Sequence, residues 1–152
     1  MTADDITPTR VAQLECNIDD MTAEALGYVL EQLLAHGALD AWFTPITMKK
    51  GRPATLLSLL CRVGDVDEYC DWLLRETSTL GVRWHLCDRR IAQRTSDQVE
   101  TPWGPVRRKL KLLDDVVISA KPEYDDCARI AHEHRIPIQQ VIDAARRTPW
   151  HA

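Results

Sequence analysis

Residues 11 to 18 (VAQLECNI) alternate, with Ala12, Leu14, Cys16 and Ile18 falling on one face, which is the pattern of a half-buried strand. A 3.6-residue period follows. Leu26, Val29, Leu30 and Leu33 lie at i, i+3, i+4 and i+7, after Thr22 as a candidate N-cap and before Gly37 as a stop, so the spacing predicts a helix. Residues 40 to 48, with Trp42, Phe43 and Ile46, read as a second strand. Pro45 lacks a donor and places that strand at a sheet edge. Residues 55 to 61 (TLLSLLC) are apolar on both faces, which suits an interior strand. Val66, Tyr69, Cys70 and Leu73 mark a second helix, and Val82, Trp84 and Leu86 a fourth strand that could run on toward Arg94.

This order predicts an α+β fold, a ferredoxin-like βαββαβ sandwich over residues 11–94 with strand order 4-1-3-2 and both helices on one face. Residues 95–148 form a predicted extension, with a hairpin from Gln98 to Leu112, a strand from Val116 to Ala120, and two C-terminal helices. One helix carries Cys127, Ile130 and Ala131; the other carries Ile138, Val141, Ile142 and Ala145, with Pro137 in its first turn. Within the hairpin, Val106 to Lys111 (VRRKLK) reads as an alternating strand whose cations, Arg108 included, form a solvated face.

Composition narrows the function classes. The chain has 152 residues, 45% hydrophobic and 28% charged, without the run of about 20 apolar residues that spans a bilayer. Five cysteines, an odd number without a CxxC pair, suit free thiols in a reducing cytoplasm. The acidic, polar start MTADDITPTR is unlike a signal peptide. A net charge of -4, and the absence of aromatic residues from VAQLECNI and TLLSLLC, argue against nucleic acid as a partner.

The predicted topology brings three connections to one end: Asn17 to Thr22, Met48 to Pro53, and Arg75 to Arg83. A turn at the second needs only Gly51 and Pro53, so Lys49, Lys50 and Arg52 are surplus to it. Asp19 and Asp20 are hard oxygen donors suited to magnesium or manganese. Lys49, Lys50, Arg52 and Arg83 can neutralise phosphate oxygens, and Thr77, Ser78 and Thr79 can donate hydrogen bonds. Together they suit a metal-bound polyphosphate. Each has a plainer reading: acids before a helix cap it and oppose its dipole, and a hydroxyl run after a helix is an ordinary loop. The stretch Lys121 to Asp126 (KPEYDD) is open in the same way. Its acids favour the start of a helix, and Lys121 and Glu123 could equally contact a nucleotide and a metal.

Four stretches in register, ECNIDDMTAEALGYVLEQLLAHGALDAWFTPITMKKGRPATLLSLLC, RETSTLGVR, VETPWGPVRRK and KPEYDDCARIA, resemble the C-terminal domain of the LarC family of nickel-pincer cofactor nickel-insertion proteins. The resemblance runs from about Val11 to Ala145. It implies insertion of nickel, as substrate metal, into pyridinium-3,5-bisthiocarboxylate mononucleotide, in a CTP-dependent reaction assisted by magnesium or manganese. The product serves lactate racemase. The resemblance also implies CTP and metal binding in this domain and a homo-oligomer. Members carry a longer N-terminal region, often with a histidine-rich segment, so complete insertion is expected to need that region, in the same chain or a separate one. The competing expectation is a non-catalytic regulatory module that binds a small ligand on the same fold.

Overall fold

The computed structural model describes residues 9–149, which form two compact units divided at residues 89 and 90. The first unit contains β1 (Thr9–Ile18), α1 (Ala23–Ala35), β2 (Asp40–Met48), β3 (Arg52–Arg62), α2 (Val66–Glu76) and β4 (Arg83–Arg89). Its sheet is antiparallel, in the order β2-β3-β1-β4. Pro45 therefore lies in an edge strand and TLLSLLC in an interior one, as their composition predicts.

Alternation decides which face is covered. Ala12, Leu14, Cys16 and Ile18 of β1 join Leu57, Leu59 and Cys61 of β3 in one buried cluster with Val29 and Leu33 of α1 and Val66, Tyr69 and Leu73 of α2. Both helices thus pack on one side of the sheet. Fully burying a leucine in such a cluster is worth about 1.5–3 kcal/mol. The hydroxyl of Thr22 caps α1 by accepting from the Ala25 amide at 3.2 Å, and Gly37, at φ 102°, takes the left-handed turn that ends it. The apolar alternation of β4 has a different outcome. Trp84 and Leu86 pair with Leu14 and Ala12, hence share the helix-covered face, yet remain 52% and 45% exposed because β4 is an edge strand.

The second unit contains β5 (Gln93–Thr101), β6 (Gly104–Leu113), β7 (Val116–Pro122), α3 (Tyr124–His134) and α4 (Ile138–Arg147). Its three strands form an antiparallel meander. The expected boundary between residues 94 and 95 falls inside β5, so β4 does not run on to Arg94 and the hairpin starts five residues before Gln98. In that strand only Val99 is buried, which hid it from a reading based on apolar positions. Val99 and Val106 pack with Cys127, Ile130, Val141 and Ala145 of the two helices.

The basic stretch of β6 corrects the expectation of a solvated face that includes Arg108. Val106, Arg108 and Leu110 all point inward, and Arg108 is fully buried, while Arg107, Lys109 and Lys111 are exposed. Its guanidinium meets Asp97 twice, at 2.9 and 2.5 Å. It also donates to the carbonyls of Ala145 at 3.0 Å and Thr148 at 2.6 Å. A buried guanidinium is tolerated because its donors are used, partly on carbonyls that end α4.

Candidate functional site

At one end of the first unit the chain leaves β1 at Asp19, turns between β2 and β3 at Lys49 to Gly51, and enters β4 from the connection after α2. Lys50 and Gly51 have φ of 64° and 69°, two successive left-handed residues that reverse the chain tightly. Arg52, the first residue of β3, donates from Nη1 to Oδ2 of Asp19 at 3.3 Å, joining the hairpin tip to the connection after β1. Ser78 joins the third connection to the same place, through a short hydrogen bond from its hydroxyl to Oδ1 of Asp20. The Ser78 amide also faces the Met21 sulfur at 3.4 Å. Lys49 and Lys50 are exposed and form no ion pair among the described residues.

The hydroxyls of Thr77 and Thr79 are used locally. Thr77 Oγ1 donates to the Leu73 carbonyl at 2.7 Å and accepts from the Thr79 amide, while Thr79 Oγ1 donates to the Gly81 carbonyl at 3.0 Å. These two residues bind the loop to the end of α2. Arg83 turns to the sheet: its Nε donates to Glu15 Oε2 at 3.1 Å and its Nη2 to Asn17 Oδ1 at 3.0 Å. Glu15 also accepts from Gln13 Nε2 at 2.9 Å. Glu15 was not among the residues singled out from sequence. The available signal was an acid on the polar side of an alternating interior strand, where burial demands partners.

Lys121 and Glu123 lie in the second unit. Lys121 is exposed on β7 opposite Lys109, and Glu123 pairs with the Lys109 ammonium at 2.9 Å. Beside them Arg107 grips Asp126 through two side-chain bonds of 2.9 Å, which hold that carboxyl at about 2, below its ordinary value. His132 and His134, two apart on α3, are both exposed.

Among the described residues no three His, Cys, Asp or Glu side chains are grouped to hold a metal ion. Asp19 and Asp20 nonetheless suit magnesium, which takes one or two carboxylates and completes its shell with water and phosphate oxygens. Each carboxylate uses one oxygen in the contacts above. Cys16 lies in the helix-side core, where burial pushes its thiol up to about 11, against the smaller opposing effects of a Thr79 hydrogen bond and the Arg83 charge. A separate cavity of about 320 Å³ is lined by His36, Glu68, Asp71, Trp72, Arg75 and Glu76, the last two at the end of α2 where the third connection begins. No helix among the described residues is long and apolar enough to cross a membrane.

The nickel insertion protein family matches residues 1–142. The chain belongs to that family. A putative nickel insertion protein of Myxococcus xanthus is 48% identical over 132 residues, covering 87% of this chain and 34% of the relative. The pyridinium-3,5-bisthiocarboxylic acid mononucleotide nickel insertion protein of Staphylococcus saprophyticus is 46% identical over 130 residues, 86% of this chain and 33% of its own length. The chain thus spans about a third of the curated relatives it matches. Among solved structures it is similar to the apo C-terminal domain of a cyclometallase involved in synthesis of the NPN cofactor of lactate racemase. That match has a TM-score of 0.83 and 46% identity, and it covers 91% of this chain and 96% of that one. A Methanopyrus kandleri protein, at TM-score 0.72 and 24% identity over 92% of this chain and 88% of its own, shares the fold.

Proposed function

We propose that this chain is the CTP- and divalent-metal-binding part of a nickel chelatase that inserts nickel into pyridinium-3,5-bisthiocarboxylate mononucleotide. The observation that carries the reading is the meeting of three connections, through Arg52 with Asp19 and Ser78 with Asp20, beside two lysines that form no ion pair among the described residues. Lys49 and Lys50 offer charge to phosphate oxygens. Arg52 is 55% exposed, and its 3.3 Å contact is long for a charged hydrogen bond, so its guanidinium is free to turn from Asp19 to a phosphate. Asp19 and Asp20 are the proposed ligands of magnesium or manganese. When bound, that metal neutralises charge on the triphosphate; nickel is substrate. Arg83, Thr77 and Thr79 belong to the same site, holding its walls and third connection. Lys121 and Glu123 are proposed as further nucleotide and metal contacts.

Complete insertion requires the region that relatives carry beyond this domain, and the protein works in the cytoplasm as a homo-oligomer. Calorimetry on the chain tests the binding half: CTP should bind only with manganese or magnesium present and more tightly than ATP, GTP or UTP. Tight metal-free binding, or equal affinity for all four nucleotides, would count against it. Nickel transfer to the substrate mononucleotide, on adding the complementary region and CTP, tests the enzymatic half; ligand binding without transfer would make the chain a regulatory module.

A further inference from the structure

The two edges of the four-stranded sheet are built differently. An edge strand presents unpaired N–H and C=O groups that can template another strand, and proteins blunt it with proline, a bulge or charge. On β2 the device is present: Pro45 removes a donor from the middle of the strand. In the second sheet the ladder beside the exposed Val116 and Ile118 of β7 shifts register between Lys111 and Leu112. Strand β4 has neither. Its seven residues contain no proline and pair without interruption with Thr9 to Glu15, and Trp84 and Leu86 stand half-exposed on the helix-covered side. The one charge of β4 on that side, Asp88, is taken up by Arg10 at 3.0 Å. Leu80, in the connection that leads into β4, is fully exposed.

The two sides of this edge dictate what an added strand must carry. Side chains on the helix-covered side would meet Trp84 and Leu86 and must be apolar. Those on the other side would lie beside His85 and Arg83, whose guanidinium is already held by Glu15 and Asn17, and must be polar. Strand addition of this kind draws affinity from main-chain hydrogen bonds and specificity from every second side chain.

Topology points to the occupant. Thr9, where β1 starts, lies opposite Arg89, where β4 ends. Polypeptide that precedes the domain therefore arrives one strand spacing, roughly 5 Å, from β4 and roughly 10 Å from the open position beyond it. Longer relatives have such polypeptide: this chain spans about a third of their length, and the solved structure it is similar to is a C-terminal domain.

We infer that β4 is the docking edge for the region that precedes this domain in the longer relatives, which adds a strand of alternating apolar and polar residues and covers Trp84 and Leu86. The inference rests on the reading that complete insertion needs that region. Because β4 starts at Arg83, directly after the connection that carries Ser78, a strand added there brings the incoming region to the polyphosphate end of the unit.

The test supplies the part of the Staphylococcus saprophyticus relative outside the matched 130 residues as a separate polypeptide and follows hydrogen exchange of this chain. On mixing, the β4 amides should slow by about 10-fold or more, while those of the interior strand β3 stay as they are. Leu86→Lys puts a charge on the open edge; it should keep the parent melting temperature and its binding of CTP with manganese, yet lose the slowing and weaken the added polypeptide by about 10-fold or more. Trp84→Phe should keep both. Equal binding of the polypeptide by parent and Leu86→Lys overturns the assignment, as does no binding by the parent. Slowing in the chain alone that grows with its concentration gives the edge to a second copy and also overturns it. If the β4 amides slow but no mixture transfers nickel, the docking edge stands and the enzymatic reading falls.

Discussion

Two basic stretches of this chain, KKGR at the tip between β2 and β3 and RRK in β6, look alike as strings of cations and differ in what surrounds them. Arg52 ends the first, half-exposed beside a single carboxylate oxygen; Arg108 sits inside the second unit with Asp97 and the carbonyls at the end of α4 around it. The first arrangement leaves donors to give to a ligand. The second has none to spare, because a buried charge is tolerated only when its partners are complete. Charge alone therefore does not mark a binding site. What marks one is charge whose partners are incomplete, at a place where other unsatisfied chemistry meets it.

Removing the buried guanidinium has the largest expected effect. Arg108→Ala should destabilise the second unit by about 3–5 kcal/mol, since it takes the guanidinium from Asp97 and the donor from the carbonyls at the end of α4. Chemical denaturation measures it, and a loss below about 1 kcal/mol would show that Arg108 is not the partner this account makes it. Arg108→Met, which keeps much of the volume, should still be unstable because the Ala145 and Thr148 carbonyls lose their donor and Asp97 loses the guanidinium. The double change Arg108→Met with Asp97→Asn should recover part of the loss.

At the other cationic stretch the backbone, more than the charge, bears on folding. Gly51→Ala puts a Cβ at φ 69° and should cost about 1–2 kcal/mol, although nothing lies within 4 Å of that Cβ. Lys50→Gly, at φ 64°, should be neutral or slightly stabilising. Thermal melts of both variants check the sign: a destabilised Lys50→Gly would mean that the lysine side chain holds the turn.

The smallest effect concerns the exposed pair in the second unit. Arg107 holds the Asp126 carboxyl at about 2 against an ordinary value near 4, so the pair's contribution is fully present above the unfolded value and is lost as pH falls from about 4 to about 2. Asp126→Asn should lower stability above pH 5 by the modest amount an exposed pair contributes, with the difference from the parent closing as pH falls toward 2. A pH series of melts on parent and variant compares them. Identical acid profiles would contradict the assigned shift.

Much of the first unit was legible because its strands and helices bury one face each. The alternation in VAQLECNI and the i, i+3, i+4, i+7 spacing after Thr22 name the residues that form the core, and Pro45 names the edge. Trp84 and Leu86 show the limit of the same rule: period two gives the face, not whether a helix reaches the edge strand to cover it. In β6 the rule was available and outweighed by composition. Val106, Arg108 and Leu110 alternate together, so Arg108 belonged to the apolar side, yet a run of cations reads as solvent-facing. Strand β5 was cut short because Gln93 to Gln98 contain no apolar residue at all. Within the candidate site, the meeting of Asp19, Asp20, Arg52 and Ser78 followed from topology. Local contacts did not: Thr77 and Thr79 bond to their own loop, and Arg83 bonds to Glu15 and Asn17, pairings that depend on register.

The central claim is that the tip between β2 and β3 is a phosphate clamp, and calorimetric titration of CTP with manganese into Lys49→Ala, Arg52→Ala and the parent tests it most directly. A charge-assisted hydrogen bond is worth about 1.5–3 kcal/mol, so each variant should bind about 10- to 150-fold more weakly, and Arg52→Lys should fall between parent and alanine. An exposed ion pair contributes little to folding, so melting temperatures should stay within a few degrees of the parent. If Lys49→Ala and Arg52→Ala bind CTP as the parent does, the tip is a solvated turn and the claim is wrong.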